Sequence, residues 1–139
     1  MKLTDLAIGD LILINNTPHK IQAIDSIDAE ILADDELYYV GEDRGHSEDK
    51  IEGIPITTEI LEKNGWERDI DKEWDYNNSH ILPHYCYQWE KRNVKIEMYA
   101  GLEGFTISLI IGRRFYAVHE LQHVLRLYGL DELADNFKI

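Results

Sequence analysis

The first third of the chain alternates short apolar runs with turn residues. Leu3 to Gly9 is a lead-in that ends at a Gly9-Asp10 turn, and Leu11-Ile12-Leu13-Ile14 then forms a run typical of a strand. Asn15-Asn16-Thr17-Pro18 closes that run as a turn. His19 to Ile24 follows with a period close to two, setting Ile21 and Ala23 opposite Lys20, Gln22 and Ile24, so the two runs pair as a hairpin. Ala29 to Leu32 and Leu37 to Val40, split by Asp34-Asp35-Glu36, supply two further strands. Several short strands at this spacing predict a small SH3-like β-barrel or half-barrel.

Gly41 to Gly53 is rich in acids and glycine and contains His46. It reads as a surface loop and marks a boundary, giving a β-barrel-like unit over residues 1–45 and an α+β unit over 46–139, or one continuous domain. Beyond it, Thr57 to Trp66 carries helix start and stop signals: a threonine cap, Glu59 in the first turn and Gly65 just past the end. Glu67 to Ser79 is polar, with a short strand expected near Trp74 to Tyr76. Tyr85 to Glu90, Val94 to Tyr99, Phe105 to Ile111 and Arg114 to Tyr116 are β-type segments, with Gly101 to Gly104 as a hairpin loop. Val118, Leu121, Leu125 and Tyr128 recur at helical steps, Gly129 ends the helix, and Leu130 to Leu133 adds a turn. The predicted class is α+β: the β-barrel unit, a short helix, then an antiparallel meander packed against the C-terminal helix.

Composition narrows the function. The chain has 139 residues, enough for one domain or two very small ones, and 44% of them are apolar. Acids outnumber bases 27 to 14 and the formal charge is −13, which repels phosphate backbones and disfavours nucleic-acid binding. Contact with a basic protein remains open, as does an acidic decoy of nucleic acid. Cys86 is the one cysteine, so neither an intrachain disulfide nor a four-cysteine zinc site can form. The N-terminus carries no apolar secretory core, and no apolar run is long enough to span a bilayer. The expectation is a soluble, cytoplasmic protein.

One stretch names a chemistry. His119-Glu120-Leu121-Gln122-His123 is His-Glu-x-x-His, which on a helix can hold zinc between two imidazoles with the glutamate as general base. At roughly 100° per residue the two histidines lie within about 40° of each other, away from the apolar stripe. The rhythm Val-His-Glu-Leu-Gln-His-Val resembles the active-site helices of zincin metallopeptidases. Against zinc stands the third ligand. The metzincin continuation would place Gly and His at 126 and 129, where this chain has Arg126 and Gly129. Asp131, Glu132 and Asp135 are the downstream candidates, and Arg126 would bring a cation to the metal. His80, His84 and Cys86 are a second group of metal-capable residues, but Pro83 breaks any helical spacing between the histidines.

Three stretches in order carry a resemblance: Ile8-Gly9-Asp10 before a hairpin; Ile54-Pro55-Ile56-Thr57 with Ile60-Leu61 and Gly65-Trp66; and Tyr116 to Gln122 with Leu127. Together they resemble a family of small uncharacterised proteins from Bacteroidetes and their phages, whose last motif reads Val-His-Gln/Glu-Leu-Gln-Asn. The resemblance covers most of the chain and implies no activity. It implies that His119 and Gln122 belong to the family pattern and make buried or partner-facing hydrogen bonds next to the sheet. It also implies that the complete His-Glu-x-x-His is particular to this chain.

The leading expectation is therefore a non-enzymatic accessory or protein-interaction protein of a phage or mobile element. It has no assigned catalytic, metal or cofactor residue, and its interaction surfaces are Asp25 to Glu52 and the polar face of the last helix. The alternative is a small zinc-dependent hydrolase. There His119 and His123, with Glu132 or Asp135, would bind the metal, and Glu120 would activate water.

Overall fold

The computed structural model describes residues 1–40, 49–68, 84–89, 95–99, 105–107 and 114–139, with 84–89, 95–99, 105–107 and 114–115 described as strand backbone. The fold is α+β, and the chain divides into two units. The first joins Met1–Pro55 to Ala117–Phe137; the second comprises Ile56–Tyr116 and Lys138–Ile139.

In the first unit a 3-10 turn, Leu3–Asp5, leads into β1 (Leu11–Ile14), β2 (Thr17–Asp25), β3 (Glu30–Ala33), β4 (Glu36–Tyr39) and β5 (Ile51–Gly53). The spatial order is β4-β3-β2-β1-β5, antiparallel at every pairing. Two-residue turns set the registers. Asn15 and Asn16 have φ of 50° and 67°, and Asp34 and Asp35 have 50° and 62°, the left-handed pair that a tight hairpin with right-handed twist requires. Strand alternation then selects the core. Ile12, Ile14, Ile21, Ile31 and Ala33 are almost wholly buried, with Leu6, Val40 and Ile51 packed around them. The register of β2 against β3 shifts between Ile21 and Ala23, a bulge that bends the strand.

The hairpins stand where the turn residues place them, but a closed barrel does not form. β4 and β5 are the outer strands; Asp49, two residues before β5, donates its backbone N–H to the Tyr39 carbonyl and accepts the Tyr39 amide on its carboxylate.

α2 (Val118–Leu127) and α3 (Asp131–Asp135) complete the first unit. Val118, Leu121 and Leu125 are fully buried, and α2 packs on β1 and on α3. The expected boundary at residue 45 and the assignment of this helix to a downstream unit are thereby corrected. Ile51–Gly53 is a strand paired with β1, and the helix that follows Ala117 belongs with it. Apolar periodicity specifies a face to bury; it does not specify which sheet receives it.

In the second unit Thr57 caps α1 (Thr58–Lys63), its hydroxyl accepting from the Ile60 amide at 3.2 Å. Asn64 ends the helix and bonds both the carbonyl and the amide of Lys138. β6 (Trp66–Arg68), β7 (His84–Trp89), β8 (Lys95–Tyr99), β9 (Phe105–Ile107) and β10 (Arg114–Phe115) form an antiparallel meander in the order β10-β9-β8-β7-β6. The expected meander strands are present, and β6 extends it directly after α1. The expected loop at Gly101 to Gly104, the strand near Trp74 to Tyr76, and His46 and His80 lie outside the described residues. Among the described residues no helix is long and apolar enough to cross a membrane.

Candidate functional site

The polar residues of α2 meet the segment that enters β1. Gly9 makes the approach possible. Its φ is 92°, which suits glycine, and a Cβ built there would lie 2.9 Å from Arg126 Nη2, so a larger residue would strain the backbone and push the guanidinium aside. Backbone bonds from Gly9 N to Ile21 O (2.8 Å) and from Ile21 N to Asp10 O (3.0 Å) fix this segment along β2. Asp10 is thereby turned inward, with no exposed surface.

A buried carboxylate requires partners, and Asp10 has three. Its Oδ2 accepts from Ala7 N at 2.7 Å and from His123 Nε2 at 2.7 Å, and its Oδ1 accepts from Arg126 Nη1 at 2.9 Å. Arg126 Nη2 reaches on to Asp135 Oδ1 at 3.4 Å, and Lys20 Nζ donates to the Asp135 carbonyl at 2.6 Å. Gln122, also fully buried, ties down the same segment. Its Oε1 accepts from Leu11 N at 2.9 Å, while its Nε2 donates to Gly9 O at 3.1 Å and to Ala134 O at 2.9 Å. One amide side chain thus joins β1's entry, α2 and α3.

His119 is 5% exposed: helical spacing sets it away from the apolar stripe, whereas the resemblance implies a buried or partner-facing place next to the sheet. Its ring lies against β5, where a Cβ on Gly53 would come within 3.0 Å of Cε1. Nδ1 is buried with no hydrogen-bond partner among the described residues. Burial lowers the His119 pKa below the ordinary imidazole value; the carboxylates of Asp10, Glu120 and Asp5 oppose that shift and His123 adds to it. The rings of His119 and His123 stand edge-on, 5.9 Å between centroids.

The buried side of α2 is therefore wider than its apolar stripe. At roughly 100° per residue, Leu121, Leu125, Val118, Gln122 and His119 cover an arc of about 160°, with Arg126 inside it and His123 about 40° beyond it.

The arrangement brings together His119, His123 and, through Arg126, Asp135. Glu132 is exposed at the start of α3, and Glu120 is partly buried. His123 Nε2 faces Asp10, whose second oxygen holds a guanidinium, so the cation beside the histidines is Arg126. Among the described residues no group of three His, Cys, Asp or Glu side chains is placed to hold a metal ion. What the arrangement does chemically is neutralise one buried carboxylate and satisfy the amides around it.

Sequence reasoning missed Asp10 as the centre of the site and Gly53 as the surface His119 packs on. A Gly-Asp pair before a strand reads as an ordinary turn, and nothing local marks its carboxylate as buried. Compared with known proteins, the chain matches no family model, no curated protein and no solved structure.

Proposed function

We propose that the chain is a non-enzymatic protein-interaction module, of the accessory kind that a phage or mobile element carries. Its His-Glu-x-x-His helix acts as a structural fastener. One observation carries the reading: His123, one of the two candidate metal ligands, is committed to Asp10 together with Arg126, while Gln122 between the histidines is committed to the backbone of Gly9 and Leu11. A hydrolytic zinc needs imidazole nitrogens turned to the ion and an open coordination position. His123 instead serves a buried carboxylate.

The binding capacity then lies in the acidic surface. Asp25, Asp28, Asp34, Asp35 and Glu36 are exposed on the turns and edge of the first sheet, and with a net charge of −13 they favour a basic protein partner over nucleic acid. We read the first sheet as an SH3-like half-barrel, on the support of its strand order and the bulged β2.

Purification without chelator tests this reading. The expected outcome is less than about 0.2 zinc per chain and no rise in melting temperature on adding zinc, since a metal bound only by the folded state would stabilise it. A hydrolytic activity abolished by Glu120→Gln, together with stoichiometric zinc, would overturn it in favour of the zinc-dependent hydrolase.

A further inference from the structure

We propose that His119 is a proton-operated latch on α2: protonation in mildly acidic solution releases the helix from the sheet of the first unit. The inference rests on where the ring sits. It is packed against β5 at Gly53, beside the Ala117 Cβ, and it is almost completely shielded from water. Its Nδ1 has no acceptor among the described residues. A neutral imidazole tolerates that position because its proton can reside on the other nitrogen. An imidazolium must donate from both nitrogens, so the buried ring gains an unmatched N–H together with a charge shielded from water. Undocking α2 returns the ring to water and removes both costs.

The charges around the ring set how the latch is balanced. From its own helix, His119 faces Glu120 and His123; from the segment before β1 it faces Asp10, and from the 3-10 turn Asp5. β5 presents Gly53, which has no charge. The carboxylates favour a cation at His119, but Asp10 is already bonded to His123 and neutralised by Arg126. Burial outweighs them, so the folded chain binds fewer protons at this site than the unfolded chain. Stability therefore rises with pH in this window, and docking of α2 is lost as pH falls below about 6.5, the ordinary imidazole value.

The test is amide hydrogen exchange of α2 between pH 7.5 and 5 in the whole chain and in His119→Phe, with rates corrected for intrinsic pH dependence. In the wild type the opening equilibrium of Leu121 to Leu125 should grow by up to tenfold per pH unit below about 6.5, the limit for one proton. His119→Phe keeps a planar apolar ring and should remove that slope. An unchanged slope in the variant, or none in the wild type, overturns the latch. Should His119→Phe not fold, an NMR titration of the His119 Cε1 proton in the wild type decides. A midpoint below 6.5 with loss of α2 protection supports it, and one at or above 6.5 overturns it.

Discussion

A carboxylate with no exposed surface is stable only while each oxygen keeps a partner, and at Asp10 those partners come from opposite ends of the chain. Arg126 supplies the full positive charge and directs one N–H to Asp10 and another to Asp135, an arrangement a lysine could not place in the same fork. Arg126→Met should therefore cost about 3 kcal/mol, because it leaves the buried anion with His123 and one amide. Urea unfolding at pH 7.5 would show this as a lower midpoint at constant slope. Asp10→Asn combined with Arg126→Met should recover part of the loss, since the uncompensated charge is gone. At this scale the sequence was partly legible. His-Glu-x-x-His drew attention to the helix that carries the site, because imidazoles and an amide at those spacings stand on one side of a helix. It gave no sign of Asp10, because burial of a side chain is decided by what packs over it.

The elements show where local rules are sufficient. Threonine at position 57 caps α1 as its hydroxyl chemistry dictates, and paired polar residues make both tight turns of the first sheet. The strand pattern in β1 and β3 was readable because one face is buried and the other is not. The acidic segment before residue 53 was not, since Ile51–Gly53 is three residues long and its strand character comes from pairing with β1. The Asp34-Asp35 turn tests the local account. Both residues hold positive φ, which glycine accepts without the clash of a Cβ. The His19 ring engages Asp34, while the Gln22 side-chain Oε1 accepts from the backbone N–H of Asp35. Asp35→Gly keeps that N–H and should stabilise the chain by about 0.5 kcal/mol, a modest rise in melting temperature. A fall would show that the Asp35 carboxylate matters in a way the turn geometry does not explain.

For the molecule as a whole, the decisive feature is that the first unit is built from two distant segments. Gln122 bonds Leu11 and Gly9 across 111 and 113 positions, and Arg126 bonds Asp10 across 116. Closing such a loop costs entropy that no short-range pattern reveals, so the local pattern divides the chain into consecutive pieces or leaves it as one continuous domain. It places the elements and misjudges their company. The central claim is that the His-Glu-x-x-His helix exists to fasten these two segments. Gln122→Leu tests it most directly, because leucine fits an apolar neighbourhood yet leaves the Leu11 amide and the Gly9 and Ala134 carbonyls buried without this partner. The measurement is the urea unfolding free energy of the whole chain at pH 7.5. The fastener account predicts a loss of about 3 kcal/mol, whereas a variant within about 0.5 kcal/mol of the wild type, the range of an ordinary surface change, would contradict it.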